Sequence, residues 1–98
     1  MLAPTALLAQ NASVTVSGLL ADQSSHSAMG YVNVIIKKAS DSSFVTGTIS
    51  AEDGRFKLLV KPGRYVLTCS FTGYVSRNIP LFVGSLSEFL DLSTLEIQ

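Results

Sequence analysis

Residues 44–74 read F-V-T-G-T-I-S-A-E-D-G-R-F-K-L-L-V-K-P-G-R-Y-V-L-T-C-S-F-T-G-Y. Two dipeptides, Asp53-Gly54 and Pro62-Gly63, divide this stretch into three short strand-like runs. After each dipeptide apolar and polar residues alternate. Phe56, Leu58 and Val60 share one side of the first run, and Tyr65, Leu67 and Cys69 share one side of the second. Period-two alternation bounded by Asp-Gly and Pro-Gly predicts an antiparallel meander. A tight turn at Asp53-Gly54 calls for positive φ at Gly54, a conformation that costs glycine nothing.

Outward from this stretch the same signal recurs. Residues 13–20 place Val14 and Val16 opposite Thr15 and Ser17, and residues 31–38 place Val32, Val34 and Ile36 on one face. Residues 76–83 align Ile79, Leu81 and Val83, and Pro80 among them predicts a strand at an edge or next to a bulge, because proline cannot donate to a ladder. In the last run Leu90 and Leu92 alternate, then the period slips and resumes at Leu95 and Ile97. An extra residue at Ser93-Thr94, a β-bulge, restores it. The sum is seven strands joined by short polar loops. Two packed antiparallel sheets suit them better than one sheet, which would leave an apolar face in water.

The chain has 98 residues, 47% of them hydrophobic and 14% charged, with zero formal net charge. That is one domain, which buries roughly 60–68% of the surface of its unfolded chain. Without a basic stripe to follow phosphates, nucleic acid is not an expected partner. Residues 1–12 differ from the rest. They contain a short apolar run and a Leu-Ala pair before Gln10, and read either as a leader remnant or as a disordered arm. The folded domain is expected over residues 13–98.

Chemistry is sparse. Nucleophilic catalysis needs a base beside a nucleophile, and the one histidine, His26, lies in a serine-rich loop with no G-x-S-x-G elbow in the chain. Zinc needs about four His or Cys ligands, and the chain has one of each. Calcium would need Asp22, Asp41, Glu52 and Asp53 to converge from their loops, and the expected Asp and Gly of a tight turn already account for Asp53. Cys69 reads as a small buried hydrophobe. No catalytic, metal or cofactor-binding residue is expected, and no cofactor. The loops around residues 21–30, 40–44 and 72–75 offer His26, Phe44 and Tyr74 as a candidate ligand site for a small molecule or carbohydrate.

The succession V-S-G-x-L, Y-V-N-V-I-I-K, V-T-G-T-I-S-A-E-D-G-R-F-x-L-x-V-K-P-G-R-Y, S-F-x-G-Y, I-P-L and L-D-L-S-T-L-E-I resembles the carboxypeptidase regulatory-like (transthyretin-like) domains. It is most similar to copies at the N-terminus of Bacteroidetes TonB-dependent receptors and outer-membrane β-barrel proteins. The resemblance implies an all-β, seven-stranded antiparallel Greek-key sandwich, prealbumin-like or Ig-like. It also implies a non-enzymatic accessory module in the periplasm or at the outer membrane, touching the membrane only through an attached barrel. Partners would be proteins or adjacent domains of a longer chain, which could pair with an exposed edge, residues 76–83 or 13–20. The related hydroxyisourate hydrolases use several histidines and a C-terminal Y-R-G-S, whereas this sequence has one histidine and ends L-E-I-Q.

The alternation places Phe56 in the core, and Phe56→Ala should cost about 3–5 kcal/mol. Thermal unfolding checks this; an unchanged melting temperature would mean that the strand faces the other way.

Overall fold

The computed structural model describes residues 13–86 and 88–98, so the leader-or-arm segment at residues 1–12 lies outside the described residues. Seven strands form: β1 (Val14–Asp22), β2 (Asn33–Lys38), β3 (Phe44–Ile49), β4 (Arg55–Val60), β5 (Gly63–Ser70), β6 (Arg77–Val83) and β7 (Phe89–Ile97). They make two sheets, ordered β4-β1-β7 and β3-β2-β5-β6.

Each predicted face packs as its alternation requires. Val14, Val16 and Leu20 of β1 meet Phe56, Leu58 and Val60 of β4, and Val34, Ile36, Leu67, Cys69, Leu81 and Val83 close the core from the other sheet. Burying an aliphatic or Phe side chain of this kind stabilises by about 1.5–3 kcal/mol. The bulge also forms where the period slips. Ser17 pairs with Asp91 and Leu19 with Thr94, so Gly18 faces two residues of β7. Ser93 takes φ 61°, and its N–H donates to Asp91 Oδ1 at 2.9 Å.

Three expectations about pairing are corrected. β3, β4 and β5 are not a meander: β4 belongs to one sheet, β3 and β5 to the other. Turn residues dictate that the chain reverses, but not that the two flanking strands bond to each other. At Asp53-Gly54 and Pro62-Gly63 the chain turns a corner between layers. Second, the sheets are not wholly antiparallel, because β1 and β7 run parallel. Third, β1 is no edge. It lies between β4 and β7, whereas β6, with Pro80, is an edge as expected. Alternation reports which face of a strand is buried and carries no information about how many neighbours the strand has.

The corners are fastened individually. Gly54 has φ 85°, its C=O accepts Leu20 N–H at 2.8 Å, and a Cβ there would stand 2.6 Å from Leu20 O. The Tyr65 hydroxyl spans the Pro62-Gly63 corner and donates to Lys61 C=O at 2.6 Å. Ser50, only 1% exposed, accepts Val32 N–H and donates to Met29 C=O, each at 2.9 Å. It thereby ties the segment entering β2 to the end of β3. Without its hydroxyl two backbone groups would lose their partner, at about 1–3 kcal/mol for a buried group.

Gly18 pairs with Phe56 across β1 and β4, and a Cβ on Gly18 would lie 2.7 Å from Phe56 Cε2 and 2.8 Å from Cζ. The ring occupies the space a side chain would take. Phe56 is itself buried, so a ring displaced by a Gly18 side chain would give up core contacts. Gly18→Ala should therefore destabilise by about 1–3 kcal/mol, the usual cost of overpacking. At this chain length that lowers the melting temperature by on the order of 10 °C. Calorimetry that found Gly18→Ala as stable as the parent would show that the ring moves freely.

Candidate functional site

The loops gather at the two ends of the sandwich. At the end where β1 leaves its sheet lie residues 23–32, the 51–54 turn, residues 71–76 and Gln98. At the other end lie residues 39–43, 61–62, 84–86 and 88. The β2–β5 register, Asn33 opposite Ser70 at one extreme and Lys38 opposite Tyr65 at the other, separates the two ends. Five residue steps of strand make that distance roughly 17 Å.

His26 and Tyr74 come to the first end, around Asp22. The Tyr74 hydroxyl donates to Asp22 Oδ2 at 2.7 Å, and the Tyr74 ring meets Phe71 edge-on, with centroids 5.7 Å apart. His26, at φ 62°, lies on the exterior and shares a 2.9 Å hydrogen bond between Nδ1 and Glu96 Oε2. Arg77 Nη1 donates to the Glu96 carbonyl at 2.8 Å, beside a polar hollow of about 460 Å³. Phe44 is at the other end of the molecule. It is exposed on the outer face of β3, opposite Lys37. The structure thus brings two of the three candidate ligand residues together and leaves the third apart.

The acidic groups serve the backbone. Asp22 accepts Ser24 N–H at 2.8 Å, Asp41 accepts Ser43 N–H at 3.0 Å, Asp53 accepts Arg55 N–H at 3.1 Å, and Asp91 accepts Ser93 N–H at 2.9 Å. These four are all the aspartates of the sequence. Each makes the local turn in which a carboxylate stands in for a backbone acceptor two residues back. Asp41 lies at the opposite end from Asp22 and Asp53, and no group of three His, Cys, Asp or Glu side chains is placed to hold a metal among the described residues.

This turn chemistry was missed by weighing Asp22 and Asp41 as calcium ligands. The signal was present as the recurring D-x-S spacing at 22–24, 41–43 and 91–93. Cys69 is fully buried, and burial pushes its thiol up to about 11, so it stays a neutral thiol at physiological pH. Among the described residues no serine hydroxyl is hydrogen-bonded to His26, so the His26–Glu96 pair has no nucleophile to activate.

The tyrosine hydroxyl holds the Asp22 carboxyl below its ordinary value, assisted by Ser24 N–H, and the same bond raises Tyr74. Asp22 is solvent-accessible, which screens the effect.

Architecture and loops together define a seven-stranded all-β sandwich whose four aspartates are bonded into local turns. The carboxypeptidase regulatory-like domain model matches residues 15–93, and the chain belongs to that family. No curated protein sequence matches the chain. Among solved structures it is similar to the Bacillus anthracis TIE protein, with TM-score 0.74, 14% identity, and coverage of 89% of this chain and 17% of that one. It is similar as well to BcpA, the major pilin subunit of Bacillus cereus, with TM-score 0.73, 13% identity, and coverage of 89% and 30%. Klebsiella pneumoniae 5-hydroxyisourate hydrolase gives TM-score 0.64, 16% identity, and coverage of 85% and 90%. These likenesses establish the fold. The chain spans under a third of the Bacillus proteins' length.

The depressed Asp22 carboxyl has a consequence for acid stability. A lowered folded value contributes stability above the unfolded carboxyl value, about 3.9, that is lost as pH falls through the folded one. Tyr74→Phe should return Asp22 towards its ordinary value, removing this group's contribution to stability above the unfolded value and with it the part of the acid destabilisation that its titration causes. Carboxyl NMR titration reads this directly; an Asp22 titration indifferent to the substitution would mean that the bond does not persist in solution.

Proposed function

We propose that this domain is a non-catalytic accessory module of a longer, exported, envelope-associated bacterial protein. In its finer form the proposal is the N-terminal extension of an outer-membrane receptor, a Greek-key sandwich serving protein–protein contact or structural support. The observation that carries it is the family match over residues 15–93. The solved relatives support it, since a sandwich of this shape is a 17% or 30% portion of the two Bacillus chains. The loops support it as well. The aspartates are bonded into turns, Tyr74 and His26 are bonded to carboxylates, and Cys69 is sealed in the core, so the reactive side chains serve the scaffold. Phe44, remote from His26 and Tyr74, weighs against one ligand site built from all three.

Fractionation of the source cells with antibody against residues 13–98 tests the proposal. The antigen should appear in the envelope, in a polypeptide much larger than 10.4 kDa. Recovery as a small cytosolic chain would overturn it.

A further inference from the structure

The four sheet edges are unequally protected. β6 carries Pro80 and Arg77, β4 carries Arg55 and Lys57, and β7 carries the Ser93 bulge with Asp91 and Glu96. Prolines, charges and bulges are the devices that keep a foreign strand from adding to an edge. β3, F-V-T-G-T-I, has neither charge nor proline. Its one irregularity, an extra residue at Val45, sits at the start and leaves residues 46–49 regular.

The bonding register shows which groups this edge offers. Ser50 N–H donates to Val32 C=O, so the alternation of an antiparallel ladder turns the backbone groups of Thr48 and Thr46 towards β2. The N–H and C=O of Gly47 and Ile49 then point away from β2, and none has a partner among the described residues. Gly47 adds no side chain to obstruct an incoming backbone. Both flanks of the edge are apolar. Phe44 and Ile49 are exposed on the outer side. On the inner side a groove of about 430 Å³ separates β3 from β4 and is lined by Val45, Thr46, Leu59 and Val60. Lys38 and Lys61 also line this groove, no carboxylate does, and neither lysine is in an ion pair among the described residues. Asp41, in the adjoining turn, is engaged by the N–H and hydroxyl of Ser43.

We propose that the β3 edge receives an extended strand of a partner protein, apolar along the groove and bearing a carboxylate beside Lys38 and Lys61. Gly47 and Ile49 would bond its backbone, while its alternate side chains fall on the two apolar flanks. A second copy of this chain is a poorer occupant, because its own β3 brings no carboxylate. The inference rests on the reading of the domain as an interaction module and names the surface that reading leaves open.

The test uses the isotopically labelled full chain and a nine-residue acetylated peptide of alternating Val and Thr ending in Glu. The Gly47 and Ile49 amide signals should shift, and their hydrogen exchange should slow by about tenfold. The same peptide ending in Lys should bind about tenfold more weakly. Ile49→Pro removes an N–H that no internal bond uses, so it should abolish binding and leave the Val34 and Cys69 signals in place. If Ile49→Pro fails to fold, Ile49→Lys blocks the same edge with a charge. Peptide-induced shifts confined to β6 or β7, or undiminished binding by the edge variants, would overturn the proposal. So would concentration-dependent protection of Gly47 without peptide, which would assign the edge to a second copy. Shifts produced only by anionic phospholipid vesicles would assign it to a lipid surface. A chain found in the envelope whose Gly47 and Ile49 ignore the peptide would refute the edge assignment alone.

Discussion

A sandwich of seven strands closes on one core only if the chain can change layers sharply, and here it does so at β1–β2, β3–β4, β4–β5 and β6–β7. Every change of layer breaks a ladder and exposes backbone groups that water or a side chain must satisfy. The solutions differ from corner to corner. Ser50 serves the segment entering β2, Gly54 and Asp53 the passage to β4, and Tyr65 the passage to β5. These fastenings set how the two sheets meet, and the core follows from them. The Phe56 ring can lie over β1 only because the Asp53-Gly54 corner delivers β4 in register with Gly18.

The buried face of almost every strand was legible in the sequence, because side chains in a strand alternate whatever the strand is paired with. The bounds of β4 and β7 and the bulge in β7 could be read off residue by residue. Partnership could not. Val14 and Val16 alternate in the same way whether β1 has one neighbour or two, and the parallel contact with β7 joins segments some seventy residues apart. Local chemistry has no access to a pairing of that kind. Pro80 was the exception, because a missing N–H is a statement about pairing itself.

The polar residues were legible in kind but not in purpose. A loop aspartate looks the same in a sequence whether it binds an ion or a backbone amide, and what separates the two is what lies two residues on. Here Ser24, Ser43, Arg55 and Ser93 each supply the N–H, so the carboxylates are occupied locally. His26 and Tyr74 were singled out for their loops and are found at one end, yet both are tied to acids that belong to neighbouring elements. Phe44 shows the limit of grouping loops by sequence alone, because the loops of a sandwich are divided between two ends and only topology assigns them.

Edge chemistry and corner chemistry answer different demands, and in this domain they use different residues. The corners consume aspartate, serine, tyrosine and glycine, and altering them disturbs the core they position. The edges are governed by charge and proline at exposed positions, which change pairing with other chains at little expense to internal contacts. A domain of this size gains no stability from leaving β3 uncharged, since its outward N–H and C=O groups are hydrated equally well beside lysine or threonine. With three edges guarded, an unguarded fourth is therefore a property of how the surface meets other chains. It can vary among relatives while the sandwich beneath it stays the same, which is the condition under which one fold serves different partners.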